Sequence, residues 1–171
     1  MLSRIKRMSD RFFASKLSGL RQYIEYKANA LWFDYPFGRE PRATREKYLL
    51  LDKEVQEKNY PQIEEYEKQT GYAIDKEWLR SLALHTQVVI KTSELCYAHG
   101  RVLYSALSKY LGKKKPALSS NCITIWETGT ARGFSSLCMA KALRDQDRNG
   151  RILTFDMLPH NTPMYWNCID D

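Results

Sequence analysis

The chain has 171 residues, of which 43% are hydrophobic and 12% aromatic, so it can bury a core and is not disordered throughout. The formal net charge is +7 at pH 7, and most of the excess lies in residues 1–50, where eleven Lys or Arg residues stand against five acids. No window approaches the roughly 18 apolar residues of a membrane span, and no apolar stretch near the amino terminus suggests a cleaved signal.

The cysteines and histidines predict no metal site. The four cysteines are far apart and form no C-x-x-C pair, and the three histidines have no metal-ligand spacing. Cys122 and Cys138 fall in or beside predicted core elements. We therefore expect free, buried thiols in a reducing compartment, which predicts a cytoplasmic protein.

Residues 3–30 are predicted to form a basic amphipathic helix, or two helices broken near Gly19. Basic residues lie between apolar residues that recur at helical spacing: Ile5, Met8, Phe12, Phe13, Leu17, Leu20, Ile24 and Ala28. Such a helix suits either an anionic membrane surface or packing against a partner subunit, and we favour packing. The aromatic segment 32–38 contains a proline and a glycine and is predicted to be a loop.

Helices are also predicted in the next part of the chain. Pro41 suits the first turn of a helix that runs to Lys58. A shorter helix over 62–69 follows Pro61 and is closed by Gly71.

The longest helical pattern lies further along the chain. Asp75 is a predicted N-cap for a helix over 76–80, and the long pattern then covers 87–111, with Gly100 as its weak point. Its apolar stripe is predicted to contain Val88, Leu95, His99, Val102, Ala106 and Tyr110.

Several polar residues in these helices were candidates for chemistry. Glu64, Glu65 and Glu67 lie on one charged helix face with no apolar neighbours, so we interpret them as solvated rather than catalytic. His99 is interpreted as a core residue on the long helix. His85 is placed near a bound ligand only by analogy with other folds.

The central motif of the sequence lies in residues 122–159, CITIWETGTARGFSSLCMAKALRDQDRNGRILTFDMLP. An apolar run of β-forming residues is followed by a turn that contains Gly129 and Gly133. A helical pattern comes next, and then a second apolar run that ends at Asp156. This order is typical of the start of a nucleotide-binding α/β fold.

The residue types in this motif suit a bound nucleotide-like ligand. Gly129 and Gly133 tolerate a sharp turn and allow close approach to the backbone. The first N–H groups of the helix have no intrahelical acceptor and can meet polar or anionic groups. Asp156 is at the tip of the next strand. Its separation from the glycine turn along the sequence is about that expected for an acid that accepts ribose hydroxyls.

Two known glycine patterns can be aligned with this turn. The dinucleotide fingerprint G-x-G-x-x-G, started at Gly129, requires glycine where the chain has Ala131 and Phe134. The pattern acid-x-G-x-G-x-G, started at Glu127, matches at Glu127, Gly129 and Gly133 and departs only at Ala131. The second pattern therefore fits better.

That second pattern resembles motif I of the class I S-adenosylmethionine-dependent methyltransferases, and Asp156 resembles the acid of their motif II. The segment E-T-G-T-A-R-G-F-S-S looks most like the small-molecule O-methyltransferase branch, and the resemblance covers about a quarter of the chain. It implies S-adenosylmethionine as the cofactor and methyl transfer to an oxygen of a small molecule or a sugar.

The resemblance also implies residue roles. The turn 129–133 would hold the methionine part of the cofactor, Ser135 would donate at the helix start and Glu127 would orient the turn. Asp156 would hold the ribose, and Met157 would lie against the adenine. The predicted cofactor-binding set is Glu127, Gly129, Thr130, Ala131, Gly133, Phe134, Ser135, Asp156 and Met157. No catalytic residue and no metal ligand is assigned.

The predicted fold class is α/β. A helical amino-terminal region over 1–118 is expected to precede the start of a Rossmann-like sheet over 119–171. The sheet of the family has seven strands and this sequence supplies two, so we expect part of a larger methyltransferase. A second chain, or a second copy in a homo-oligomer, would complete the sheet because two parallel strands cannot bury both faces.

Two other functions remain open. The chain could be a non-enzymatic helical module whose basic amino-terminal helix binds a partner protein or an anionic membrane surface. An NAD-dependent enzyme is a weaker alternative, because Phe134 breaks the dinucleotide fingerprint. Nucleic acid is not an expected partner.

Overall fold

The computed structural model describes residue 20 and residues 43–91, 93–113, 122–158 and 166–169. The predicted amphipathic helix over 3–30, apart from Leu20, and the predicted aromatic loop over 32–38 lie outside these residues. The chain divides into two compact units, Met1–Glu40 with Leu158–Tyr165, and Pro41–Met157 with Trp166–Asp171. The helices and strands below belong to the second unit, and the predicted boundary at residue 118 stays a prediction.

Two helices open the described part of this unit. Helix α1 spans Arg45–Gln56 and buries Tyr48, Asp52 and Val55. The predicted extension of α1 to Lys58 is wrong, because Glu57 is the C-cap and the Lys58 N–H donates to the Val55 carbonyl at 3.2 Å, the tighter i−3 bond that closes a helix end.

Helix α2 spans Pro61–Thr70 and confirms the second predicted helix. Proline occupies its first turn, where a missing N–H costs no helical hydrogen bond. Gly71 ends the helix in the left-handed conformation, with φ of 79°.

Helix α3 spans Lys76–Thr86, and its predicted N-cap is confirmed because the Asp75 carboxylate accepts from the Trp78 N–H at 2.6 Å. Helix α4 spans His99–Gly112, so the predicted start at residue 87 is wrong. The chain leaves α3 at Gln87, and residues 88–91 form neither helix nor strand; the first two of them are β-branched, which lowers helix propensity. The first of them, Val88, is fully buried with Tyr48 and Ile169 in a small second core.

The predicted apolar stripe of α4 is also wrong. Val102 and Tyr110 are 38% and 50% exposed. The buried residues of the helix are instead Gly100, Tyr104, Ser105, Ser108 and Leu111. Glycine and serine are small, so this face lets α4 pack closely against neighbouring helices. The pattern of apolar and polar residues does not predict that such small residues are the buried ones.

The predicted strand–helix–strand unit is confirmed. Strand β1 spans Ile123–Thr128, helix α5 spans Phe134–Asp145 and strand β2 spans Gly150–Phe155. The strands pair in parallel with Ile123 opposite Gly150 and Thr128 opposite Phe155. The described part is therefore a mixed α/β structure of five helices and one two-stranded parallel sheet.

The main core joins α3, α4 and α5. It contains Ile74, Leu79, Ala83, Tyr104, Phe134, Cys138 and Ala142. The Tyr104 hydroxyl donates to Asp145 at 2.8 Å across the α4–α5 interface. Burial, together with this hydrogen bond, raises the pKa of Tyr104 to about 12, so the phenol stays neutral. Helix α5, which follows the glycine turn, is thus held by a packed helical layer.

The expectation of buried thiols holds for only some of the cysteines. Cys138 and Cys168 are buried, and burial raises the pKa of Cys138 to about 12. Cys122 is exposed because it lies one residue before the paired part of β1, so the prediction of a buried thiol is wrong there, and Cys96 is exposed as well. In the part of the chain that the structure describes, no helix has the length and apolar character needed to cross a membrane.

Candidate cofactor site at the glycine turn

The turn between β1 and α5 depends on backbone angles that favour glycine. Gly129 and Gly133 have φ of 82° and 78°, and Ala131 between them has φ of 44°. The Gly129 N–H donates to the Phe155 carbonyl, and the Gly133 N–H donates to the Thr130 carbonyl, each at 2.7 Å. Left-handed backbone at Ala131 costs about 1–2 kcal/mol, so these contacts hold a strained turn.

The space beside both glycines is open. A Cβ atom built at Gly129 or at Gly133 would meet no other atom of the described residues within 4 Å. These glycines are therefore required by the backbone conformation and not by close packing within the described residues. The turn therefore presents bare backbone, and the close approach of a ligand to it stays a prediction.

Asp156 reaches this turn directly. Since the two strands are parallel, their carboxyl ends lie at one edge of the sheet, and the Asp156 carboxylate accepts from the Ala131 N–H at 2.6 Å. The two residues are 25 positions apart in sequence. Asp156 is also exposed, so the predicted turn and the predicted acid form one accessible cluster.

Glu127 is held by a serine that the sequence interpretation did not assign. The Ser136 hydroxyl donates to Glu127 Oε2, whereas Ser135, the predicted donor, lies half-buried in the first turn of α5. The adjacent serines both follow Gly133, so the motif alone could not distinguish them. The contact ties the end of β1 to the first turn of α5 and fixes the orientation of the carboxylate.

Phe134 contributes to the core rather than to the open site. Its ring is 2% exposed and meets the ring of His99 edge to face, with centroids 4.8 Å apart. Only the backbone of Phe134 is therefore placed to meet a ligand. His99 itself is an exposed residue, so its interpretation as a core residue is wrong, although partial desolvation of its ring, together with the charge of Lys91, lowers its pKa. His85 lies at the end of α3, with Nδ1 3.0 Å from the Ser81 carbonyl.

Arg132 was not included in the sequence-based site. Its guanidinium lies over the ring of Trp166, 5.7 Å from the centroid, and its buried Nη1 has no hydrogen-bond partner among the described residues. A buried donor without an acceptor is unfavourable. The only feature of the sequence that could have indicated Arg132 as a site residue is its position as the single basic residue of the glycine turn.

The sheet face beside the turn is open and aromatic. Trp126 and Phe155 stack with centroids 5.6 Å apart, yet they are 69% and 52% exposed. Met157, the predicted adenine contact, is 75% exposed. Both faces of a parallel sheet are usually covered, and this exposed face agrees with that expectation only if something else covers it. That another chain or a second copy completes the sheet stays a prediction.

The described residues hold no group of three or more His, Cys, Asp or Glu side chains that would suit a metal ion. No known protein family matches the chain, and no curated protein or solved structure is significantly similar to it.

Proposed function

We propose that the chain is an S-adenosylmethionine-dependent methyltransferase, or the cofactor-binding part of one, which transfers a methyl group to an oxygen of a small molecule or a sugar. In this proposal β1, α5 and β2 begin a Rossmann-like sheet. The observation that carries the proposal is the direct hydrogen bond from the turn at Ala131 to Asp156, which joins the two motifs into one open cluster.

Three features support the fit of these residues to the cofactor. The space beside Gly129 and Gly133 is open, so the backbone there can meet the methionine part. The buried Arg132 Nη1 has no acceptor among the described residues and suits the cofactor carboxylate. Exposed Met157 follows Asp156 directly and offers an apolar surface to the adenine.

The bound cofactor would supply the methyl group, carried on a sulfonium. The chain would contribute mainly positioning, which can account for much of the rate of a displacement reaction. Asp156 would accept from the ribose hydroxyls while it fixes the turn. Glu127, oriented by Ser136, would favour the positively charged amino and sulfonium end. No described residue is assigned as a catalytic base.

The NAD alternative fits less well. The third glycine of the dinucleotide fingerprint would stand at Phe134, whose ring instead fills the core between α4 and α5. The alternative of a helical interaction module rests on a segment outside the described residues, and it stays a sequence-based hypothesis.

Calorimetric titration with S-adenosylhomocysteine and with NAD tests the proposal. We expect saturable binding of S-adenosylhomocysteine alone. Asp156→Asn keeps an acceptor for the Ala131 N–H but removes the charge, so affinity should fall about tenfold or more, since a charged hydrogen bond is worth about 1.5–3 kcal/mol. The matched control is Glu65→Gln, an exposed acid on α2, which should not change the affinity.

Three results would count against the proposal. Binding of neither ligand would leave the methyltransferase function without support. Preferential binding of NAD would favour the dinucleotide alternative. Equal affinities in the parent and Asp156→Asn would remove Asp156 from the site.

A further inference from the structure

A cavity of about 480 Å³ lies among the helices and includes none of the residues predicted to bind the cofactor. Small-molecule sites usually measure about 300–1,000 Å³, so its size suits a compact organic ligand. We call it the helix cavity, and the lining residues that matter here are Tyr60, Leu79, Lys76, Arg80, Tyr97 and Arg101.

Buried carboxylates anchor both arginines of the helix cavity. Glu67 accepts from Arg101 Nε at 2.8 Å and from Arg101 Nη2 at 2.5 Å. Asp52, on α1, accepts from Arg80 Nε at 3.4 Å. A guanidinium has five N–H donors, and these bonds use only some of them. Arg101 is therefore fixed in direction by two bonds, whereas Arg80 makes one longer bond and its side chain is 57% exposed. Both arginines keep donors for a further acceptor.

Lys76 adds a second cation beside Arg80. The two residues are four positions apart on α3, so they are neighbours on one helix face, and both line the helix cavity. In the described part of the chain, no carboxylate lies within ion-pair distance of Lys76. Like charges at this spacing destabilise a helix, and a bound anion would offset that cost.

The rest of the lining limits the kind of anion. Tyr60, Tyr97 and Leu79 provide aromatic and apolar surface. Burial raises the pKa of Tyr60 to about 12, so its phenol stays neutral and does not repel an anion. Three glutamates, Glu57, Glu64 and Glu77, also line the cavity and would repel a ligand with several negative groups.

We propose that the helix cavity binds a small organic anion that carries one carboxylate or phosphate group on a flat apolar body. The anionic group meets Arg80 and Lys76, and the body lies against Tyr60 and Tyr97. This site is separate from the glycine turn and does not depend on the proposed methyltransferase function.

Amide chemical-shift titration with phenylacetate, phenyl phosphate and neutral phenylacetamide tests the proposal. We expect saturable shifts in α3 and at residues 97–101 with at least one of the two anions. The stronger of them identifies the preferred head group, and phenylacetamide should bind about tenfold more weakly or worse, since charge-assisted hydrogen bonds are roughly twice as strong as neutral ones. Equal binding of the amide, or no saturation by either anion at millimolar concentration, would overturn the proposal.

Two variants and a competition experiment locate the site. Lys76→Gln and Arg80→Gln should each weaken anion binding several-fold, whereas Lys68→Gln, an exposed change on α2 outside the cavity, should not. Lys76→Gln breaks no described ion pair, so it decides the result if Arg80→Gln impairs folding. Saturating S-adenosylhomocysteine should leave probe binding unchanged, and displacement of the probe would overturn the proposal by moving it to the glycine turn.

Discussion

Replacing Gly100 by alanine would test how α4 holds the helix that follows the glycine turn. A Cβ atom at this position would lie 2.7 Å from Phe134 Cζ and 2.9 Å from Cys138 Sγ. Both side chains are enclosed in the main core, so neither can move away without disturbing its neighbours. Overpacking of this kind costs about 1–3 kcal/mol.

Helix propensity acts in the opposite direction. Alanine is favoured over glycine by about 1 kcal/mol in a helix interior, and Gly100 lies in the first turn of α4, where the gain is smaller. We therefore expect a net loss of about 1–2 kcal/mol in the free energy of unfolding. Urea denaturation followed by circular dichroism should show a lower midpoint with an unchanged slope.

A second background isolates the cause of this loss. In Phe134→Leu the ring atoms that crowd the new Cβ are absent, so Gly100→Ala should cost less there than in the parent, because residues in contact are not additive. A Gly100→Ala protein as stable as the parent, or more stable, would refute the packing argument.

Two further predictions use the same denaturation measurement. Desolvation and the charge of Lys91 lower the pKa of His99 below 6.5, so the unfolded chain binds more protons below that pH. Stability should therefore fall as the pH drops from about 7 to 5, and His99→Gln should reduce that slope; an unchanged slope would contradict the assignment. Glu67→Gln leaves the Arg101 guanidinium, 12% exposed, without its anion and should cost about 3 kcal/mol, whereas Glu67→Leu combined with Arg101→Met should recover most of the loss. Equal losses of stability in Glu67→Gln and in the double variant would show that the unpaired Arg101 charge is not the cause.

The strand–turn–helix–strand unit could be predicted because its signals are local. Apolar runs mark both strands, and the left-handed conformations at Gly129 and Gly133 follow from the need for a sharp turn. The meeting of Asp156 with the turn follows from parallel pairing, which brings the carboxyl ends of both strands to one edge. The turn and the position of Asp156 beside it could therefore be predicted from the sequence.

Long-range packing accounts for the features that the sequence did not reveal. Glu67 was interpreted as solvated because its neighbours along α2 are polar, but its partner Arg101 lies 34 positions away on α4. The inward face of α4 is chosen by Gly100 and two serines, whose small size permits close approach although they carry no apolar signal. Phe134 has the position that the motif requires, yet its ring packs against α4 in the main core.

Amide chemical-shift mapping with S-adenosylhomocysteine is the most direct test of the central claim, because it reports where the ligand binds as well as whether it binds. If the glycine turn binds the cofactor, the largest shifts occur at residues 129–136 and at 156–157, with smaller changes in α1 and α2. Shifts concentrated at the helix cavity, or saturable binding that leaves Ala131 and Asp156 unchanged, would contradict the assignment of the glycine turn as the cofactor site.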